Sequence, residues 1–251
     1  MYQIEQPEPT DEFKKAWISA GRHIQNQADT GFMWLRADLN RPFAEHLSFR
    51  IGNQIFFIFV EAAEFNYKKN GKLFDRMCKE ANAIPCIMPM TQSFGSWRPH
   101  YNGWGLINAE LNVAMNPLTF VTDELIEMTD WELFDFAIQV VCAEITKQGK
   151  KILSKQSSQE IDPTIWYQDE TGTNYIVVRA ARHPETNISL PKNIRDVMQA
   201  CSKEAENGYF ASVIFANSDD PVDPDAKSNG NFLPLYRGHA VFPNYSGLSV
   251  L

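Results

Sequence analysis

Phe57-Ile-Phe-Val-Glu-Ala-Ala-Glu64 and Ile176-Val-Val-Arg-Ala-Ala-Arg182 read as one segment written twice with a charge reversed. Both lie on strand candidates, and the chain around them repeats as well. Arg76-Met-Cys-Lys-Glu-Ala-Asn-Ala-Ile-Pro-Cys-Ile-Met88 reads against Ala200-Cys-Ser-Lys-Glu-Ala-Glu-Asn-Gly-Tyr-Phe-Ala-Ser-Val-Ile214. Arg98-Pro-His-Tyr-Asn-Gly-Trp-Gly-Leu-Ile107 reads against Leu233-Pro-Leu-Tyr-Arg-Gly-His-Ala-Val-Phe242, with Pro, Tyr and Gly in step. Repetition of this kind predicts two copies of one folding unit.

The elements between these segments fall in the same order in each half. Thr10 followed by Asp-Glu is a helix start, and Phe13, Ala16, Trp17, Ala20 and Ile24 form a helical apolar stripe. Thr129-Asp-Trp-Glu132 has the spacing of a capping box and opens a second helix that stops at Gly149. A short strand candidate follows each helix, Gly31–Arg36 and Lys151–Lys155. Then comes a hairpin. The first runs from Ser48 through a turn at Gly52-Asn53 into Gln54–Val60, and the second from Thr164 through a turn over 169–174 into Tyr175–Arg179. Helices over Lys72–Ala81 and Pro191–Glu206 lead to buried strands, Ile84–Met90 and Tyr209–Ala216. The predicted fold is α/β (α+β): two tandem modules, 1–122 and 123–251, each a mixed sheet flanked by helices in the order helix-strand-strand-strand-helix-strand. A linker is predicted near Asn116–Asp130, and packing of the modules as a pseudo-dimer would let Glu61 and Arg179 pair across its axis.

Bulk composition narrows the function. Hydrophobic content of 44% with 12% aromatics supplies a core. The longest apolar run, Ile55–Val60, is far short of the roughly 20 residues of a membrane span. The first residues lack the basic and apolar regions of a signal peptide, and the four cysteines form no CxxC pair, which together predict a cytoplasmic protein. A net charge of −8 argues against general nucleic-acid binding, which relies on clustered Lys and Arg.

The element order, with Asp162-Pro163 opening the second strand of the second module, resembles the core of the PD-(D/E)XK nuclease-like superfamily. The chain is also similar in overall look to a family of bacterial proteins. The nuclease-like resemblance implies an Asp near the second strand and an acid-x-Lys on the third. The acids would hold Mg²⁺ or Mn²⁺, and the Lys would orient the attacking water. Carried across, Asp162 takes the metal-binding position and Arg179 stands where the family has Lys. Val177 stands where it has the acid, so Glu170 at the hairpin becomes the substitute acid and second metal ligand. Glu132 or Glu144 would be the helix acid. In the first module Glu45, Phe59 and Glu61 occupy the matching places. Arg stays protonated at any working pH and is a poor general base. Two copies without the third-strand acid point to a scaffold that does not perform this chemistry.

The remaining motifs are weaker. His23, His46, His100, His183 and His239 lack metal-ligand spacing, and no P-loop, GxSxG or dinucleotide fingerprint occurs. Asp219-Asp-Pro-Val-Asp-Pro-Asp225 misses the Gly and Glu of a calcium loop. The acids are too evenly scattered for a nucleic-acid mimic. Trp97, Tyr101, Trp104, Tyr236 and His239, on the Pro-x-Tyr-x-Gly segments, are the candidate binding residues because aromatics in such turns stack on ligands or fill interfaces. The expectation is therefore a non-catalytic binding protein with a protein partner and no cofactor. The alternative is a divalent-metal nuclease or phosphodiesterase using Asp162, Glu170 and Arg179, with Mg or Mn as its cofactor.

Overall fold

The computed structural model describes residues 9–28, 31–37, 39, 46–63, 65–220 and 232–251. These residues form two compact units, the first reaching Ile126 and the second running from Glu127 to Leu251. Together they carry one sheet of seven strands and one of five.

In the first unit Thr10 caps helix α1 (Asp11–Gln27), its hydroxyl accepting the Phe13 N–H at 3.2 Å. The expected stripe, Phe13 to Ile24, is buried. Strands β1 (Phe32–Arg36), β2 (His46–Ile51) and β3 (Gln54–Glu61) form an antiparallel meander. Its β2–β3 turn passes through Gly52, whose φ of 57° belongs to the left-handed region, and a Cβ there would meet Val121 at 2.7 Å. Helix α2 (Tyr67–Glu80) crosses back so that β4 (Ile84–Ser93) lies parallel to β3. Every residue from Ile55 to Val60 is buried because both faces of β3 are covered. Phe56, Ile58 and Val60 pack in the α1 cluster, and Phe57 and Phe59 meet Phe74 of α2. Short strands β5 (Ser96–Pro99), β6 (Leu106–Asn108) and β7 (Ala114–Met115) and a 3-10 turn, Pro117–Phe120, complete the unit.

The second unit repeats the central topology. Helix α3 (Asp130–Lys147) precedes the meander β8 (Lys151–Lys155), β9 (Ile165–Asp169) and β10 (Gly172–Arg182). Helix α4 (Ile194–Cys201) then leads to β11 (Asn207–Asn217), parallel to β10, and β12 (Val241–Val250) turns back against β11. Helix α3 covers one face through Phe134, Ile138, Val141 and Ile145. Val197 and Cys201 of α4 cover Tyr175 and Val177 on the other. Each fully buried side chain of this size contributes about 1.5–3 kcal/mol.

Each unit thus follows the predicted order of helix, three strands, helix and strand. Four local expectations change. Helix α2 starts earlier, at Tyr67, because Asn66 caps it through the Lys68 N–H. The β9–β10 turn is tighter, Asp169 facing Gly172, because Asp169 accepts from Thr171 N–H and hydroxyl at 2.9 and 2.6 Å. Helix α4 stops at Cys201, and Glu206 is instead drawn to the Thr173 carbonyl at 2.7 Å. The two Pro-x-Tyr-x-Gly segments also occupy different places. The first follows β5, which already pairs with β4, whereas the second lies in the β11–β12 connection, before β12. Their likeness in sequence is not a likeness in position.

Candidate functional site

Asp162 and Arg179 meet near the C-terminal end of β10, and the local backbone dictates how. The segment before β9 runs beside β10: the Thr164 N–H donates to the Ile176 carbonyl at 2.9 Å, and the Thr164 hydroxyl accepts from Val178 N–H at 3.1 Å. This register brings Asp162 level with Arg179. The guanidinium donates to both carboxylate oxygens, at 3.0 and 2.6 Å, and also to the Val178 carbonyl at 2.7 Å. Only 6% of the Asp162 side chain is exposed. A bidentate pair of this kind fixes both partners and takes up one lone pair on each carboxylate oxygen.

Glu170 is elsewhere. It sits exposed on the turn after Asp169, whereas Asp162 precedes Ile165, so β9 separates them by about 13 Å of strand. The proposed metal pair is corrected accordingly: Asp162 and Glu170 do not come together. Glu45 lies outside the described residues, as do residues 221–231 of the acidic loop. The Asp169 carboxyl beside Glu170 is held below the usual range, first by the Thr171 hydroxyl and then by the Thr171 N–H, Asn174 and Lys150, against the opposing effect of burial.

Glu132, proposed as a helix acid, is structural. It closes the predicted capping box by accepting from Thr129 N–H at 2.8 Å. Arg237 reaches it from the β11–β12 connection, with Nε at 3.1 and 3.0 Å from its two oxygens and Nη2 at 2.8 Å from Oε2. The side chains are 1% and 2% exposed. Glu144 lies near the far end of α3 and accepts from Gln148 at 3.1 Å. Arg182, at the end of β10, grips the start of α3 through Asp130 and the Met128 carbonyl, with Glu127 at 3.6 Å. Residues including Asp130, Phe134, Gln159, Arg179, Arg182 and Glu185 line an open cleft of about 440 Å³.

The aromatic candidates divide. Trp104 is buried and stacks on Phe49 at 6.2 Å, so it belongs to the core and has no face free for a ligand. Trp97 is half-buried: its indole donates to Glu12 at 3.3 Å, and its carbonyl accepts from Ser19 at 2.6 Å. Glu12 is lowered in pKa by Lys15 first and by Trp97 second. Tyr101 is exposed on the surface beside His100. Tyr236 is half-buried and bridged through its backbone to Glu127, and its ring meets the exposed His239 edge to face. No local sequence pattern marks Arg182 or Arg237, because each finds its carboxylate partner through the tertiary fold.

No group of three His, Cys, Asp or Glu side chains able to hold a metal occurs among the described residues. Among them too, no helix is long and apolar enough to cross a membrane. The Cys201 thiol is pushed up to about 11 by burial, and burial also raises the Cys78 and Cys86 thiols. Residues 131–251 are similar to a family described as a domain of unknown function, DUF8840. Comparisons with curated proteins and with solved structures give no match.

Proposed function

We propose that the protein is a non-catalytic binding protein built on duplicated nuclease-like modules, and that it works through a protein partner. One observation carries this reading. The carboxylate that a nuclease of this shape would give to a metal is held at both oxygens by Arg179. The rest of the donor set does not fit a divalent cation either. Val177 offers no ligand, and Glu170 is at the opposite end of β9. A hard cation needs several oxygens converging at about 2.0–2.6 Å, and Asp162, Val177 and Glu170 do not supply them.

What these residues do instead is hold a shape. Arg179 and Arg182 tie the C-terminal end of β10 to the segment before β9 and to the start of α3. The cleft beside them presents both signs of charge, with Asp130 and Glu185 exposed at its rim. Mixed-sign polar walls favour a partner segment with complementary charges and give specificity more than bulk affinity.

The test is thermal unfolding titrated with Mn²⁺ and Mg²⁺ on the wild type and Asp162→Asn. The expected result is a midpoint that neither ion moves in either protein. A metal-dependent rise in the wild type that disappears in Asp162→Asn would establish a native-state metal site by linkage and return the phosphodiesterase reading.

A further inference from the structure

β10 outruns one of its neighbours. β9 pairs with it only from Gly172 to Ile176, whereas β11 stays beside it as far as Arg182. Main-chain groups of successive residues point to opposite sides of a strand. The His183 N–H reaches the Phe215 carbonyl of β11 at 2.8 Å, so odd-numbered residues face β11 and even-numbered ones face the β9 side. On that side the Ile176 carbonyl is taken by the Thr164 N–H, the Val178 N–H by the Thr164 hydroxyl and the Val178 carbonyl by Arg179. Next come the N–H and C=O of Ala180 and the N–H of Arg182, and among the described residues nothing pairs with them. The Arg182 carbonyl ends the run by accepting from the Glu185 N–H at 2.9 Å. Ala180 and Arg182 line the cleft of about 440 Å³.

We infer that the cleft takes an extended peptide segment of a partner protein, carrying a Lys or Arg, which adds as a short strand to β10 at Ala180–Arg182. The inference rests on the non-catalytic reading and gives its partner a chemistry. Main-chain pairing at a sheet edge is a recurrent way to hold an extended segment. Here the edge lies inside a cleft and not on an open flank. Leu133 and Phe134 of α3 line it, and Gln159 donates to the Asp130 carbonyl at 3.0 Å, fastening the loop before β9 to the start of α3. A cleft of ligand size admits a few residues of extended chain and not the edge of a second sheet. The long side chains beside the edge are drawn aside, Arg179 to Asp162 and Arg182 to Asp130 and the Met128 carbonyl. Charge then selects the segment. The carboxylates of Glu127, Asp130, Asp162 and Glu185 outnumber the guanidiniums of Arg179 and Arg182, so a basic side chain is attracted and an acidic segment repelled.

Selection of a display library of random linear peptides on the full chain tests the inference. Recovered peptides are expected to carry Lys or Arg, and Glu185→Lys, at an exposed position, should weaken them at least about threefold. Hydrogen exchange followed by NMR should show the Ala180 and Arg182 amides slowed by bound peptide. Methylating the peptide N–H that meets the Ala180 carbonyl should weaken binding at least about tenfold, and methylating the residues on either side, whose N–H groups point away, should change it little. Failure to recover any peptide overturns the inference, as do acidic peptides or peptides indifferent to Glu185→Lys. So do peptides that Glu185→Lys weakens but that slow neither amide and tolerate methylation throughout. These last would leave a partner at the cleft and the non-catalytic reading in place. That reading falls to a different result, a metal-dependent rise in the unfolding midpoint that Asp162→Asn removes.

Discussion

The two units share a central topology but close it with different chemistry. The first is closed by rings. Phe32, Trp34, Phe49, Phe56 and Trp104 stack or meet edge to face around Phe49, and Phe57, Phe59, Tyr67 and Phe74 do the same beneath α2. The second is closed by ion pairs: Arg179 on Asp162, Arg182 on Asp130 and Arg237 on Glu132. Ring packing tolerates a small shift in each neighbour, whereas a buried guanidinium is satisfied in one geometry. The same layout can therefore be a forgiving scaffold or a closely specified one.

Breaking the most buried pair should separate the units most sharply. Arg237→Ala strands the Glu132 carboxylate in the interior, and a loss of about 3–5 kcal/mol is expected in urea unfolding. Hydrogen exchange should place that loss in residues 127–251 and spare the ring-packed unit. If the pair matters for specificity more than for energy, Glu132→Leu/Arg237→Met should recover most of the loss. A double variant as unstable as Arg237→Ala would show that the cost lies in packing. Asp162→Asn, at a pair that retains some solvent, should cost about 2 kcal/mol by the same measurement. A smaller effect is expected at the β9–β10 turn. Its Asp169 carboxyl lies below the usual range when folded, so its contribution is present above about pH 4 and is lost as pH falls through the folded value. Amides of 169–174 should exchange faster there, and Asp169→Asn should remove that pH dependence. The smallest contrast is in the thiols. Cys78, Cys86 and Cys201 are buried with raised pKa values, so native alkylation at about pH 8 should reach the half-buried Cys142 first, as mass spectrometry can show.

The legible parts of the fold were those with local causes. The Thr10 cap, the Thr129–Glu132 box and the Gly52 turn each depend on residues within a few positions, and all were written in the sequence. β12 was not seen, because Pro243, Asn244 and Gly247 interrupt its apolar alternation and read as a turn. The likeness of Pro99–Gly103 to Pro234–Gly238 misled for a related reason. Pro, Tyr and Gly suit many tight turns, so sharing them does not fix a place in the sheet. At the candidate site the sequence marked Asp162, Arg179 and Glu132 as notable but could not pair them. Arg237 lies 105 residues from Glu132, and no local pattern reports a contact at that distance.

That separation affects the order in which the chain can be completed. Helix α3 leaves the ribosome with its capping box already encoded, but the guanidinium that neutralises Glu132 is translated 105 residues later. At ordinary elongation rates this is a wait of about 5–20 s. Throughout that time Glu132 is a hydrated carboxylate at a helix start, comfortable in water and unfit for burial. The first unit has every contact it needs well before then. The second must hold its opening helix in reserve and shut around it only when Arg237 arrives.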